Sequence, residues 1–467
     1  MSKSNRFKNV LVGAVLVITG FASNGVAKDK PLNIFILSGQ SNMVGHARGH
    51  TMATLFNNDG PKDKELIGLV FKKDAKISKA ILDGHLAEAK KVDEMTGGIS
   101  NKKIEAMTDA TKKAEIEGKV KVLKAAHDAY KEDVNSSSVV SDRVYISSIA
   151  DRNVRSGKLS VGFGADGLKI GPEYGFGLSI AEKIDGPILI IKTSWGGKSL
   201  HYNFRPPSAT DFKASKAYAD AKVKAKESLL RYEEAVKNFP AKKKKHAADL
   251  AAYEEKIKAA DDKAKKKLRK PRKPRQPKKP KPFNMDDAGV NYRMMNEKVS
   301  EVLGNLKKHH PDYNEKAGYE IAGFVWFQGF NDKFNPEYHG NYTENMKLFI
   351  QDVRKEYKAP DMPFIIGVLG TSQTEEKVAQ NAVSVAQREA AKAPEFKGNV
   401  LAVESYTEYA LDSLEVYNSG WADHYCQWDT VGSDRPYHYL GSGKFFVRFG
   451  DAMADAMVEL ISMKETE

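Results

Sequence analysis

Ser41 lies in the run Ser38-Gly39-Gln40-Ser41-Asn42-Met43-Val44-Gly45, directly after the apolar stretch Asn33-Ile34-Phe35-Ile36-Leu37. A buried strand that breaks at a glycine lifts the next side chains out of the sheet at its carboxyl end, where open α/β folds keep their sites. A serine on such a strand-to-helix turn has an exposed hydroxyl, with a backbone N–H beside it to meet a developing oxyanion. The chemistry this proposes is acyl transfer with Ser41 as nucleophile.

Three other blocks supply partners. After the apolar run Pro187–Ile191 comes Thr193-Ser194-Trp195-Gly196-Gly197, and a glycine pair there lets backbone N–H groups approach a substrate closely. After Ile321–Trp326 comes Phe327-Gln328-Gly329-Phe330-Asn331-Asp332, which offers two amides and a carboxylate. An amide is a neutral donor that stabilises negative oxygen without titrating. Near the C-terminus, Ser433-Asp434-Arg435-Pro436-Tyr437-His438 puts a carboxylate just upstream of a histidine, able to hold the imidazole's tautomer and orientation. His438 is the candidate general base and Asp434 its acid. His424 competes for the role of base but lacks the position in a loop before the final helix. His46 and His50 sit four apart, a metal-ligand spacing on a helix. Gly49 between them opposes a helix and no acidic third ligand is near in sequence, so no metal site is expected and both are placed at the substrate cleft.

In this order the blocks resemble the SGNH hydrolase superfamily, and within it the carbohydrate acetylesterases of the sialate O-acetylesterase type. Gly39-Gln40-Ser41-Asn42-Met43 is similar to their nucleophile block and Gly196-Gly197 to their glycine block. Gly329-Phe330-Asn331-Asp332 is similar to the Gly-x-Asn-Asp block, and Trp326-Phe327-Gln328-Gly329 to the Trp-x-Gln-Gly form of the esterase branch. Gly171-Pro172-Glu173-Tyr174-Gly175-Phe176-Gly177 also resembles a stretch of these esterases, and is expected to open a helix near the site. Two departures stand out. The usual Asp-x-x-His is one residue longer here, because Arg435 occupies the acidic position, and Phe330 stands where the branch often has glutamate. The resemblance implies attack by Ser41 on an ester carbonyl with His438 as base. The N–H groups of Ser41 and of Gly196 or Gly197, with the side chains of Asn331 and Gln328, would hold the oxyanion. Gln40, His46 and Trp195 would contact substrate, and no cofactor would be needed. The implied activity is release of acyl groups, chiefly acetyl, from sugar hydroxyls of a glycan. Two alternatives stay open: a non-catalytic exported glycan-binding protein using the same cleft, and an SGNH esterase of lipid or aryl esters.

The elements that must position these residues follow from hydropathy. Near-continuous apolar runs recur at 143–146, 187–191, 321–326, 363–368 and 399–403, alternating with helix-like stretches such as Tyr292–Lys307 and Gly443–Met463. Strands apolar on both faces belong to a parallel sheet covered on both sides. The expected fold is a three-layer α/β/α domain, flavodoxin-like as in SGNH proteins, with a central, mostly parallel sheet of about five strands. Its body comprises residues 28–60, 136–208 and 283–467. Two lysine-rich helical insertions interrupt it, 61–135 and 209–282. The second reads as a helical hairpin with a turn at Asn238-Phe239-Pro240, followed by a basic, proline-rich return.

Composition sets the remaining bounds. Lys3, Arg6 and Lys8 precede an apolar stretch from Val10 to Phe21 and the small residues Gly25-Val26-Ala27, the pattern of a signal peptide over 1–27. A periplasmic or secreted destination is therefore expected, with no transmembrane segment in the mature chain. The single cysteine, Cys426, excludes an intramolecular disulfide and reads as a buried small hydrophobe. The net charge of +13 is local: residues 263–282 hold twelve Lys/Arg and no acid, and once these and the three of the signal peptide are set aside the rest is near neutral. No nucleic-acid partner is expected. The basic run is either a solvated linker or a dock for an anionic polysaccharide.

Overall fold

The computed structural model describes residues 30–466, apart from 151, 152, 262–264, 266, 267 and 372. The signal-peptide segment lies outside the described residues. Seven strands form one sheet: β1 Leu32–Gly39, β2 Val144–Ala150, β3 Asn153–Lys158, β4 Ile188–Ser194, β5 Tyr319–Phe327, β6 Phe364–Val368 and β7 Val400–Glu404. Their spatial order is β3-β2-β4-β1-β5-β6-β7, parallel throughout except for β3, which pairs antiparallel with β2 at the edge. The sheet thus has seven strands rather than about five. Edge strand β3, Asn-Val-Arg-Ser-Gly-Lys, lacks the apolar run that marks the interior strands.

Side-chain alternation along the strands divides the interior in two. Phe35 and Leu37 of β1 join Ile188, Ile190, Val325 and Phe327 in one core, closed by the helices Pro172–Lys183 and Gly443–Thr466. Ile34 and Ile36 join Leu189, Ile191, Phe324 and Trp326 in the other. That second core is closed by Val290–Leu303, Tyr342–Glu356 and Ala382–Ala391. The three-layer α/β/α fold expected from the sequence is the one adopted. After β1 the chain places β2 and β4 on one side and β5 on the other, so β1 with its neighbours β4 and β5 forms the topological switch point where such sheets bind ligands.

The first insertion is integral to the body. Leu66, Val70, Leu82, Tyr130 and Val134 from it belong to the same core as Phe35, and Cys426 is buried against Ala89, Val92, Ile104 and Val120. The second insertion differs from the expected hairpin. No turn occurs at Asn238-Phe239-Pro240; one helix, Lys216–Ala259, runs through Pro240 for 44 residues. A helix-interior proline costs about 3 kcal/mol, but the half-buried seam Tyr232, Ala235, Phe239, His246, Leu250 continues across it and holds both halves in one rod. Among the described residues no helix is long and apolar enough to cross a membrane.

Candidate active site

β1 ends at Gly39 because nothing larger fits: a Cβ there would lie 2.1 Å from the carbonyl oxygen of Phe327. Ser41 then opens the one-turn helix Ser41–Val44, in which Met43 and Val44 donate to the carbonyl of Gln40. The N–H groups at the start of such a turn have no intrahelical acceptor and are free for an oxyanion. The turn is fixed from beneath. Lys192, wholly buried on β4, donates to the carbonyls of Val44 (3.0 Å) and Phe163 (2.6 Å) and lies 3.0 Å from the wholly buried Glu173. Burial pushes the Lys192 ammonium below its ordinary value, and Glu173 opposes that shift. The Gly171–Gly177 stretch does open a helix, and its glutamate is the counter-ion under the nucleophile turn.

An amide frame borders the turn on the β5 side. Gln40 Oε1 accepts from Gln328 Nε2 (3.2 Å) and from the backbones of Gly329 (3.2 Å) and Asn331 (3.3 Å), while its Nε2 donates to Asn331 Oδ1 (3.1 Å). Gln328 Nε2 also meets the carbonyl of Lys198 (2.9 Å) and Asp332 Oδ2 (2.6 Å), so three acceptors share its two hydrogens. Gln328 therefore has no donor left for an oxyanion, and Gln40, 1% exposed, presents no surface to substrate. Both are scaffold rather than site surface. Trp195, expected to touch substrate, is 3% exposed and packs beside Phe204. These three corrections share one cause, since Gln40, Trp195 and Gln328 continue the alternation of Ile34-Ile36, Leu189-Ile191 and Phe324-Trp326 into the second core. Asn331 alone of the frame is half-buried at the cleft. With Oδ1 held by Gln40, its Nδ2 meets no protein acceptor among the described residues. Gly196 and Gly197 form the facing turn; Gly197 is exposed, in a left-handed conformation (φ +69°) with open space around it. Asp332 lies beneath, accepting from the backbones of Leu200 (2.9 Å) and His201 (3.0 Å), and burial pushes its carboxyl up to about 6.

The opposite bank is the loop 433–441. Pro436-Tyr437-His438 makes a single 3-10 turn that carries His438 back over Asp434, with Nδ1 3.2 Å from Asp434 Oδ1. The extra residue in Asp434-x-x-x-His438 is absorbed by that turn and by Tyr439 and Leu440, both left-handed (φ +50° and +64°). Two consecutive non-glycine residues there cost of order 1–3 kcal/mol each. They are held by the buried Tyr439 ring, stacked on Phe445 at 3.9 Å, and by its hydroxyl, which accepts from Gly370 N–H and meets Ser405 Oγ. Arg435 turns away and covers the Trp421 ring. The loop is tied to the nucleophile turn by Asn42 Nδ2, which donates to the Tyr437 carbonyl (3.2 Å).

His46 is also in this bank. Its ring stacks on His438 (4.1 Å, 9°) and its Nδ1 lies 3.4 Å from Asp434 Oδ2, so two imidazoles flank one carboxylate. The His438 and His46 contacts hold Asp434 well below the usual carboxylate range despite burial. Burial, and next the His438 charge, push His46 below its ordinary value, against the pull of Asp434. Ligand atoms of His46, Asp434 and His438 lie within 4.8 Å of one another, a grouping that could hold a cation, although the stacked rings aim at separate oxygens of one carboxylate. His50 is not at the cleft. It is buried and donates through Nε2 to the Asp429 carbonyl (2.6 Å). His424 borders the Tyr425–Val431 helix beside Gln427.

Sequence reasoning passed over the aromatic rim. Phe330, Phe334 and Tyr437 stand next to Asn331 and His438, with ring centroids 5.2 and 5.8 Å apart, and Phe334 and Tyr437 are exposed. Their type and position beside the motifs were the signal.

Residues 293–409 match the family model described as SASA, carbohydrate esterase, sialic acid-specific acetylesterase. The resemblance to the sialate-type carbohydrate acetylesterases holds. The match covers the Trp326–Asp332 block, and Ser41 and His438 lie outside it. No curated protein matches the chain. Among solved structures, a protein from Arabidopsis thaliana is 13% identical with a TM-score of 0.37, covering 91% of this chain and 98% of its own. A carbohydrate acetylesterase from Xanthomonas citri is 10% identical with a TM-score of 0.32, covering 80% of this chain and 49% of its own. The family match supports esterase activity on carbohydrates.

Proposed function

We propose that this protein is an exported serine esterase that removes acetyl groups from sugar hydroxyls of a glycan. Ser41 Oγ attacks the ester carbonyl while His438 takes its proton and returns it to the departing sugar oxygen. Asp434 fixes the His438 tautomer and balances the imidazolium. The oxyanion is met by the N–H groups of Ser41 and of Gly196 or Gly197, and by Asn331 Nδ2. Water then attacks the acyl-enzyme with His438 again as base, releasing acetate and restoring Ser41.

The observation that carries this reading is the Asp434–His438 pair in a loop hydrogen-bonded to the Ser41 turn. Export is supported by the N-terminal pattern, and acetyl by the family description. The test is hydrolysis of an aryl acetate, with acetate release from acetylated sialosides and xylan as the substrate panel. Wild type should turn over and Ser41→Ala should lose at least about 10⁴ of kcat. Equal activity in the two proteins, or none in either, removes the esterase assignment.

A further inference from the structure

The arm formed by 216–283 has a construction that ester hydrolysis does not use. From Arg269 onward the chain returns extended along the helix Lys216–Ala259, with proline at 271, 274, 277 and 280. A polyproline II strand has three residues per turn, so these prolines share one edge, and Phe283 continues it. Burial follows that period: Pro271, Pro274, Pro277, Pro280 and Phe283 are half-buried, and every other residue from 272 to 282 is exposed. The strip is laid along the helix. His246 Nε2 meets the Pro271 carbonyl at 3.4 Å at one end. At the other, Tyr218 packs on Phe283 (5.3 Å) and donates to Asp286 (2.7 Å). The lengths agree: 28 helical residues at 1.5 Å span about 42 Å, and the 12 from Pro271 to Phe283 at 3.1 Å span about 37 Å.

With prolines facing the helix, the cations occupy the two outer rows. Arg272, Arg275, Lys278 and Lys281 form one row at steps of about 9 Å, and Lys270, Lys273 and Lys279 lie in the other with Gln276. The strip contains no acid, and none of these cations has an ion-pair partner among the described residues. The helix, by contrast, pairs several of its own charges, as in Lys216–Asp220, Arg231–Glu227 and Lys258–Glu255. The bridge from His246 to Pro271 also brings Lys242–Lys245 to the end of the strip that carries Arg269–Lys273. The foot of the arm stands on the cleft wall. Leu200 and His201 hang from Asp332, next to Asn331, and the Ala217 N–H donates to Glu337 (2.5 Å).

We propose that this arm docks a linear anionic polysaccharide along the cation rows and presents its acylated sugars to the cleft. The proposal rests on the esterase reading for the second half only; docking stands by itself. A straight row of fixed cations at even steps suits a chain that repeats its carboxylate or sulfate, and arginine forks suit those planar or multidentate anions. Between the cations lie only proline and glutamine, so the strip offers no stacking platform for bases and no apolar side chain to enter a bilayer.

The full-length variant R272Q/R275Q/K278Q/K281Q changes exposed residues outside the catalytic machinery, and circular dichroism checks that it folds. Binding is measured by fluorescence anisotropy with labelled polygalacturonate and heparin, and kcat/KM with acetylated pectin, acetylated xylan and an aryl acetate. Polygalacturonate binding should weaken at least about tenfold, and its log K against log salt slope should become shallower by up to about 4. Activity on acetylated pectin should fall in step, while xylan and aryl acetate turnover stay level. Unchanged polygalacturonate binding overturns the dock. Tighter binding of single-stranded DNA or phosphatidylglycerol vesicles than of either polysaccharide overturns the choice of occupant. If wild type hydrolyses no ester, the esterase reading falls while the anisotropy result still decides the docking.

Discussion

The two banks of the cleft are built on opposite plans. On the β5 side, Gln40, Gln328 and Asp332 are 0–2% exposed, and their polar atoms are bound to one another and to backbone. On the other side, the His46, Asp434 and His438 side chains keep 15–21% exposure, and His438 Nδ1 is at ion-pair distance from Asp434 without hydrogen-bond alignment. The difference tracks the task. A group that stabilises developing charge works best when it is fixed before the reaction, because no reorganisation is then required. A group that moves a proton must change partners, and its hydrogen bonds tighten when substrate is bound.

The sharpest way to break this comparison is Asp434→Asn. It leaves the amide frame untouched and should lower kcat by about 10³–10⁴ with little change in melting temperature. A loss below tenfold on an aryl acetate would place the acid elsewhere and remove the distinction. Next is Asn331→Ala, which deletes the one frame donor free to meet the oxyanion. Here kcat should fall by about 10²–10³ at nearly constant KM, whereas a rise in KM alone would make Asn331 a binding residue. The smallest effect tests the frame's rigidity through pH. Burial raises the Asp332 carboxyl to about 6, above its unfolded value near 4. Its contribution to stability is therefore complete below about pH 4 and is lost as pH rises through about 6, a change of about 3 kcal/mol. Urea denaturation at pH 4 and pH 7 should show that decline in wild type and not in Asp332→Asn. Identical pH slopes would mean that Asp332 is ionised throughout.

The strand ends were readable because each combines an apolar run, a glycine and then polar residues, and this placed Ser41, Gly196-Gly197 and Asn331 around one switch point. What the motifs did not carry was facing. Gln40, Trp195 and Gln328 are in the right loops, but the strand period runs on past the last paired residue and turns them inward. Extending the alternation by two residues would have found this. His46 was near the site in sequence, yet its stacking on His438 needed the return of a loop almost four hundred residues later. Pro240 misled for a different reason: its local preference for a break was overridden by a seam that only the returning strip completes.

That strip has a mechanical consequence. Because a helix advances about half as far per residue as polyproline II, the two limbs of the arm are geared at roughly two to one. Lengthening the rod by two helical turns demands only about one further Pro-x-x triplet on the return, and each triplet adds two surface positions for cations. Reach and charge are thereby coupled in this appendage. A lineage or a designer can extend the arm in small modules without disturbing the catalytic body at its foot.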